Sequence, residues 1–140
     1  MELFFLDSDE IPLPPEEVRI RELNAEPWPD GRRVRVTLEV DPFQKRPNID
    51  LLITDQAGKP VSIASIIESM TKKMEVTMHL RGNIPGGQYN VRAELYYRQN
   101  IEMDNAEPTL PIITQVDLAE TFFVIEAQNP EVDNHPGQNE

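Results

Sequence analysis

The sequence predicts an all-β domain, a sandwich or a barrel of about seven short strands, and three observations carry that prediction. The first is period-two alternation. In Arg33-Val34-Arg35-Val36-Thr37-Leu38-Glu39-Val40, four aliphatic residues alternate with four polar ones. Successive strand side chains point to opposite faces, so such a segment puts one face in a core and the other in water. The second is that Lys73–Arg81 and Gln88–Leu95, the latter running on to Tyr96 and Tyr97, repeat the pattern, and no long helical periodicity interrupts it. The third is turn chemistry at the right spacing: Asp30-Gly31, Asp55-Gln56-Ala57-Gly58-Lys59 and Asn83-Ile84-Pro85-Gly86-Gly87 fall between the candidate strands.

Weaker strands fit Val18–Leu23, Ile49–Thr54, Val61–Ile63 and Thr121–Glu126. None of the 13 prolines falls inside the seven windows, as paired strands require, because proline cannot donate to a ladder. One stretch reads two ways. Ser65-Ile66-Ile67-Glu68 has the form of a capping box, and Ile66, Ile67, Met70 and Met74 have roughly helical spacing, which allows one or two helical turns ahead of the strand at Met74.

At 140 residues the chain fits one domain with a real core. Its expected organisation is an acidic, proline-rich arm at 1–17, the β domain at 18–126 and a disordered polar tail at 127–140. The net charge of −12 sits on the arms. Nine acids and no base lie in residues 1–17 and 129–140, which leaves 16 acids against 13 bases between 18 and 128. No basic stripe is present for a phosphate backbone, so nucleic acid is not an expected partner. No apolar run approaches the roughly 20 residues that span a bilayer. Met1–Leu6 is too short for a signal peptide and carries an acid, so a cytoplasmic location without membrane attachment is expected. With no cysteine, disulfides, thiolate nucleophiles and cysteine-based metal sites have no residues to form them.

Gly87-Gln88-Tyr89-Asn90-Val91 opens a long strand directly after a tight loop. It resembles the tyrosine corner of immunoglobulin-like sandwiches, in which a tyrosine at the start of the sixth strand bonds back to loop backbone. The resemblance implies an immunoglobulin-like antiparallel β-sandwich over most of residues 18–126, with Tyr89 as its structural corner. Antibody domains differ from it: Val91 stands where they carry the second disulfide cysteine, and Trp28, the only tryptophan, precedes the second strand. The cysteine-free fibronectin type III kind is closer in character. The architecture implies no particular function.

Catalytic constellations are hard to assemble from these residues. No Gly-x-Ser-x-Gly elbow surrounds Ser8, Ser62, Ser65 or Ser69. His79 is placed on the outer face of its strand and His135 in the tail. Asp7-Ser8-Asp9-Glu10, with Asp104 or Glu107, could supply oxygens to calcium, but the calcium-loop pattern with its central glycine and distal glutamate is missing. No enzyme activity, metal or cofactor is therefore expected. Two features remain. The connection from Gln99 to about Leu118 is long, yet it contains Ile101, Met103, Leu110, Ile112 and Ile113, so it reads as a binding loop or as an extra strand or flap. The alternation also leaves Leu52, Tyr96, Phe122 and Val124 outward on three strands that neighbour one another in the immunoglobulin arrangement, with Arg92 and Arg98 beside them. An apolar patch rimmed by arginines usually marks an interface, unless Met1–Leu6 or the long connection covers it.

The function these residues suggest is a non-catalytic interaction or assembly module, acting through the exposed sheet face and the long loop (99–118) on a protein partner or on further copies of itself. The alternative is a small-ligand or carbohydrate-binding sandwich, against which the low aromatic content of 6% counts. Residues 127–140 have almost nothing to bury, so their truncation should leave the melting temperature unchanged. Strand-like amide-exchange protection across Asn129–Glu140 would contradict that expectation.

Overall fold

The alternating segments become strands because burying each inward Val, Leu or Ile is worth about 1.5–3 kcal/mol, and only an extended backbone buries every second residue. A computed structural model describes residues 11–99 and 112–126. After a short 3₁₀ turn at Pro15–Glu17 come β1 (Ile20–Pro27), β2 (Arg33–Val40), β3 (Asn48–Thr54), β4 (Pro60–Ile66), β5 (Lys73–His79), β6 (Gly87–Gln99) and β7 (Ile112–Ile125). They form two antiparallel sheets, β1-β2-β5 and β4-β3-β6-β7, making an all-β sandwich with the seven strands expected. The strand order is compatible with an immunoglobulin-like arrangement.

The core is the layer between the sheets. Val34, Val36, Leu38 and Val40 of β2 face Ile49, Leu51 and Ile53 of β3 and Tyr89, Val91, Ala93 and Leu95 of β6, and all are buried. Phe123 and Ile125 of β7 and Met78 of β5 complete the layer. Val76 of β5 is only half-buried, because β5 is an edge strand. The Tyr89 ring stacks on Phe123 with centroids 5.5 Å apart. Its hydroxyl leaves the apolar layer to donate to the Pro85 carbonyl at 2.6 Å, closing the corner expected at this residue.

Carboxylates organise the turns. Asp30 accepts from the Arg32 and Arg33 N–H groups in the β1–β2 hairpin, where Gly31 takes a left-handed φ of 67°. Asp55 accepts from the Ala57 and Lys59 N–H groups (both 2.9 Å) in the β3–β4 hairpin. At the start of β1, Asp41 accepts from the Arg19 N–H (3.0 Å) and the Arg21 guanidinium (2.7 Å), and it holds Arg21 at a bulge in the β1–β2 register.

One expectation about local structure is corrected. The helical turns allowed at Ser65–Glu68 do not form. Ser65 and Ile66 continue β4 opposite Asp50 and Ile49, and the backbone donors that would start a helix are taken by the β3 approach. The Glu68 N–H donates to Asn48 Oδ1 and the Ser69 N–H to the Pro47 carbonyl, both at 2.9 Å, while Glu68 itself adopts φ 48°. Of the long connection after Gln99, the described part, residues 112–118, is strand, one of the readings expected for it. β7 begins at Ile112 rather than Thr121, and Ile112–Gln115 pair with Gln99–Tyr96 as a ribbon. The apolar residues of this connection that lie within the ribbon therefore serve a ladder.

The Tyr89 corner yields a stability test. Tyr89→Phe keeps the ring stack and removes only the hydroxyl donor. It should cost about 1 kcal/mol in a denaturant titration with an unchanged slope. A cost near zero would show that the Pro85 bond contributes nothing to holding the β5–β6 loop.

Candidate functional site

The outer face of the four-stranded sheet can be read row by row from its registers. Ile63 of β4, Leu52 of β3, Arg92 of β6 and Glu120 of β7 form one row. Thr54, Asn90 and Phe122 form the next, and Val124 lies opposite Gln88 beyond it. In the other direction, Ser65, Asp50, Glu94 and Leu118 form a row, followed by Asn48, Tyr96 and Gln115.

The strands expected to be neighbours are neighbours, but the expected single patch is divided. The outward residues of β6 between the two flanks (Gln88, Asn90, Arg92 and Glu94) are polar, and β6 lies between β3 and β7. Leu52 is half-buried and is joined by Ile63, 70% exposed, on one flank. Phe122 (57% exposed) and Val124 (52%), with Leu118 at the same spacing, form the other flank. The two flanks stand about two strand spacings, or roughly 10 Å, apart.

Tyr96 is the clearest correction. Its side chain is on the outer side of β6, as expected, but it is buried. Its hydroxyl donates to Asp50 Oδ1 at 3.2 Å, and the Ser65 hydroxyl donates to the same oxygen at 2.8 Å. Its carbonyl accepts from the buried Asn48 amide at 3.3 Å. Tyr96 is thus a structural residue of the β3–β4–β6 surface and leaves no free aromatic anchor there. Arg92 and Arg98 are exposed, Arg92 opposite Glu120 and Arg98 opposite Ile113 on the ribbon.

A residue that the alternation gave no reason to choose joins the β7 flank. Trp28, in the β1–β2 hairpin, is 37% exposed, with the Arg33 guanidinium 3.9 Å over its ring. Pro27, Trp28, Pro29 and Gly31 form one wall of a groove of about 280 Å³, and Val124, Ile125 and Glu126 form the other. Val124, Pro27 and Trp28 are thereby brought to one corner of the sandwich, where β1 and β7 run side by side from different sheets, and Phe122 follows two residues back along the outer face of β7. The available signal was the exposed-type sequence Pro-Trp-Pro at a turn. The missing information was which strand lies next to it.

A second depression, of about 420 Å³, lies at the base of the β6–β7 ribbon between Pro15, Lys45, Tyr97, Gln99, Thr114 and Val116. The Tyr97 hydroxyl donates to the Lys45 carbonyl at 2.9 Å. On the three-stranded sheet, Arg33, Arg35 and Thr37 oppose His79, Thr77 and Glu75, the charged solvated face expected there. No group of three or more metal-ligating side chains occurs among the described residues. The acidic run Asp7–Glu10, the acids Asp104 and Glu107, His135, and the covering role considered for Met1–Leu6 lie outside them.

Burial raises all three tyrosine phenols above their ordinary value of about 10. Tyr97 is pushed up to about 12. Tyr89 is raised by burial with the Asp55 charge adding, and Tyr96 by burial and Asp50. A phenol whose pKa is raised on folding contributes stability that is complete below about pH 10 and is lost as pH rises through its folded value. Phenolate absorbance should therefore appear above the range of free tyrosine and coincide with alkaline unfolding. A normal titration on an intact fold would contradict the burial of these side chains. No protein-family model matches the chain, and no curated protein matches it either.

Proposed function

We propose that this chain is a non-catalytic protein-binding module built on an immunoglobulin-like sandwich, with its binding surface at the corner of β7 and the β1–β2 hairpin. The observation that carries the reading is the exposure of Phe122 and Val124, with Val124 across a groove from Trp28 and Pro27, on a surface whose folding role is already filled by Phe123 and Ile125. Leaving a large apolar side chain half in water forgoes a kcal/mol or more of burial. A Trp–Phe–Val cluster with an arginine over the indole has the composition of an interface centre. The strand order and the Tyr89 bond to Pro85 support the immunoglobulin-like assignment. Leu52 and Ile63, across the polar column of β6, form a secondary contact.

A small-ligand reading is favoured by one observation, the depression beside Tyr97, whose walls combine an aromatic ring, the Lys45 ammonium and the amides of Gln99 and Gln115. Its shallow, mixed lining suits it less well to a ligand than an enclosed apolar cavity would.

Phe122→Ser with Val124→Ser should leave the melting temperature nearly unchanged and abolish either self-association or retention of the partner found in the native host. Leu52→Ser with Ile63→Ser should weaken the same association only slightly. Light scattering, cross-linking with mass spectrometry and thermal melts read all of these. Equal effects of the two pairs, or a loss of several kcal/mol of stability in the first pair, would overturn the reading.

A further inference from the structure

Each sheet of a sandwich ends in two edge strands, whose free N–H and C=O groups invite further strands unless something blunts them. Three of the four edges here are blunted. β4 is short, opens with Pro60 after Lys59, and has its Val61 carbonyl taken by the Arg81 N–H at 3.1 Å. β5 is equally short and begins at Lys73. β1 bulges at Arg21, ends at Pro27 and carries Glu22 and Glu26 outward.

β7 differs. Between Ile112 and Ile125 it has no proline, glycine, lysine or arginine. Its lower half is closed by a register shift that leaves Val116 as the extra residue, and by Asp117, which accepts from the Ile20 N–H of β1 (2.8 Å) and from the Leu118 N–H (2.9 Å). Above that clasp, Ala119–Ile125 pair with β6 on one side; on the other, β1 runs alongside from the facing sheet, and among the described residues no backbone ladder joins the two. This stretch, with no ladder on its β1 side, is flanked outward by Phe122 and Val124 and ends at the groove under Pro27 and Trp28. Its acids, Glu120 and Glu126, are exposed and in no ion pair among the described residues, whereas Glu26 and Asp30 nearby are already paired with Arg35 and Arg33.

We infer that β7 binds its partner by strand addition, and that the occupant is an extended segment of another protein with apolar residues at alternate positions and lysine or arginine between or beside them. The inference rests on the interface reading above and specifies its mode. Main-chain bonds to Ala119–Ile125 supply affinity, and the alternate side chains supply specificity. Apolar residues on the outer face lie against Phe122 and Val124. One on the inner face enters the groove beside Pro27, and the basic residues meet Glu120 and Glu126. A second copy of this chain fits less well, because pairing β7 with itself brings four acids to one seam of two molecules that each carry a charge of −12.

The test is selection from a random peptide library displayed on phage against the full chain, followed by amide hydrogen exchange with the enriched peptides. Enrichment of alternating apolar sequences carrying Lys or Arg, with new protection confined to Ala119–Ile125, is the expected result. Phe122→Lys with Val124→Lys, the blunting found on other edge strands, should weaken those peptides about tenfold or more. Glu120→Gln with Glu126→Gln should weaken them less and flatten their salt dependence. Enrichment of proline-rich, acidic or helix-spaced peptides would overturn the inference. Enriched peptides that depend on Phe122 and Val124 without protecting β7 amides would overturn strand addition and leave the interface reading intact. No enrichment at all, or a dimer dispersed by the lysine pair, would overturn the assigned occupant.

Discussion

The sandwich depends on one apolar layer, in which the inward side chains of β2, β3 and β6 interlock between the sheets. Val36, Ile49, Leu51, Ile53, Val91 and Ala93 are completely removed from water. They can be so only if both sheets keep strict alternation, because a slip of one residue would turn every inward side chain out. This constraint explains why departures from regular pairing occur where they do. The β3–β4 register shift at Val61 lies at one end of the sandwich, and the β1 bulge at Arg21 and the β7 bulge at Val116 at the other, all beyond the central rows. Between these last two, Asp41 and Asp117 accept backbone and guanidinium donors that the irregular backbone would otherwise leave unpaired.

The bulge at Val116 also determines which residues share a face. Below it, Gln115 and Ile113 lie opposite Tyr96 and Arg98 on the outer side, and Thr114 lies opposite Tyr97 on the inner side. Above it, the outward positions are Leu118, Glu120, Phe122 and Val124. A single extra residue thus separates a ribbon, which lines the depression beside Tyr97, from an edge that presents its apolar residues outward. The Asn48 side chain has a comparable organising role on the opposite flank. It holds Tyr96 through its carbonyl and Glu68 through its N–H, and so binds the β4–β5 connection to the start of β3.

Exposed apolar surface has to be judged against what folding already requires. The inward Phe123 and Ile125 of β7 do the core's work, stacked on or packed near Tyr89. Phe122 and Val124 add nothing to that core, and their exposure is the surplus from which an interface can be argued. Tyr96 shows the opposite case. An outward aromatic residue can be fully structural when a carboxylate such as Asp50 receives its hydroxyl.

The sequence by itself determined the class of fold, the seven strands, the corner at Tyr89 and the inward face of each central strand. All of these follow from local alternation, proline placement and turn chemistry, which act within a few residues. Alternation also told correctly that Phe122, Val124 and Arg92 point outward. It could not tell how much water reaches an outward side chain, because exposure depends on neighbours distant in the chain. Only the tertiary structure decided that Tyr96 is buried against Asp50, that a polar β6 divides the expected patch, and that Trp28 stands beside Val124. It also decided that Ile112–Leu118 belong to a strand, since a ladder with β6 takes backbone donors and acceptors that the local sequence, poor in a single clear period, does not assign. Alternation is a property of one strand, whereas adjacency is a property of two, and the candidate site is made of adjacency.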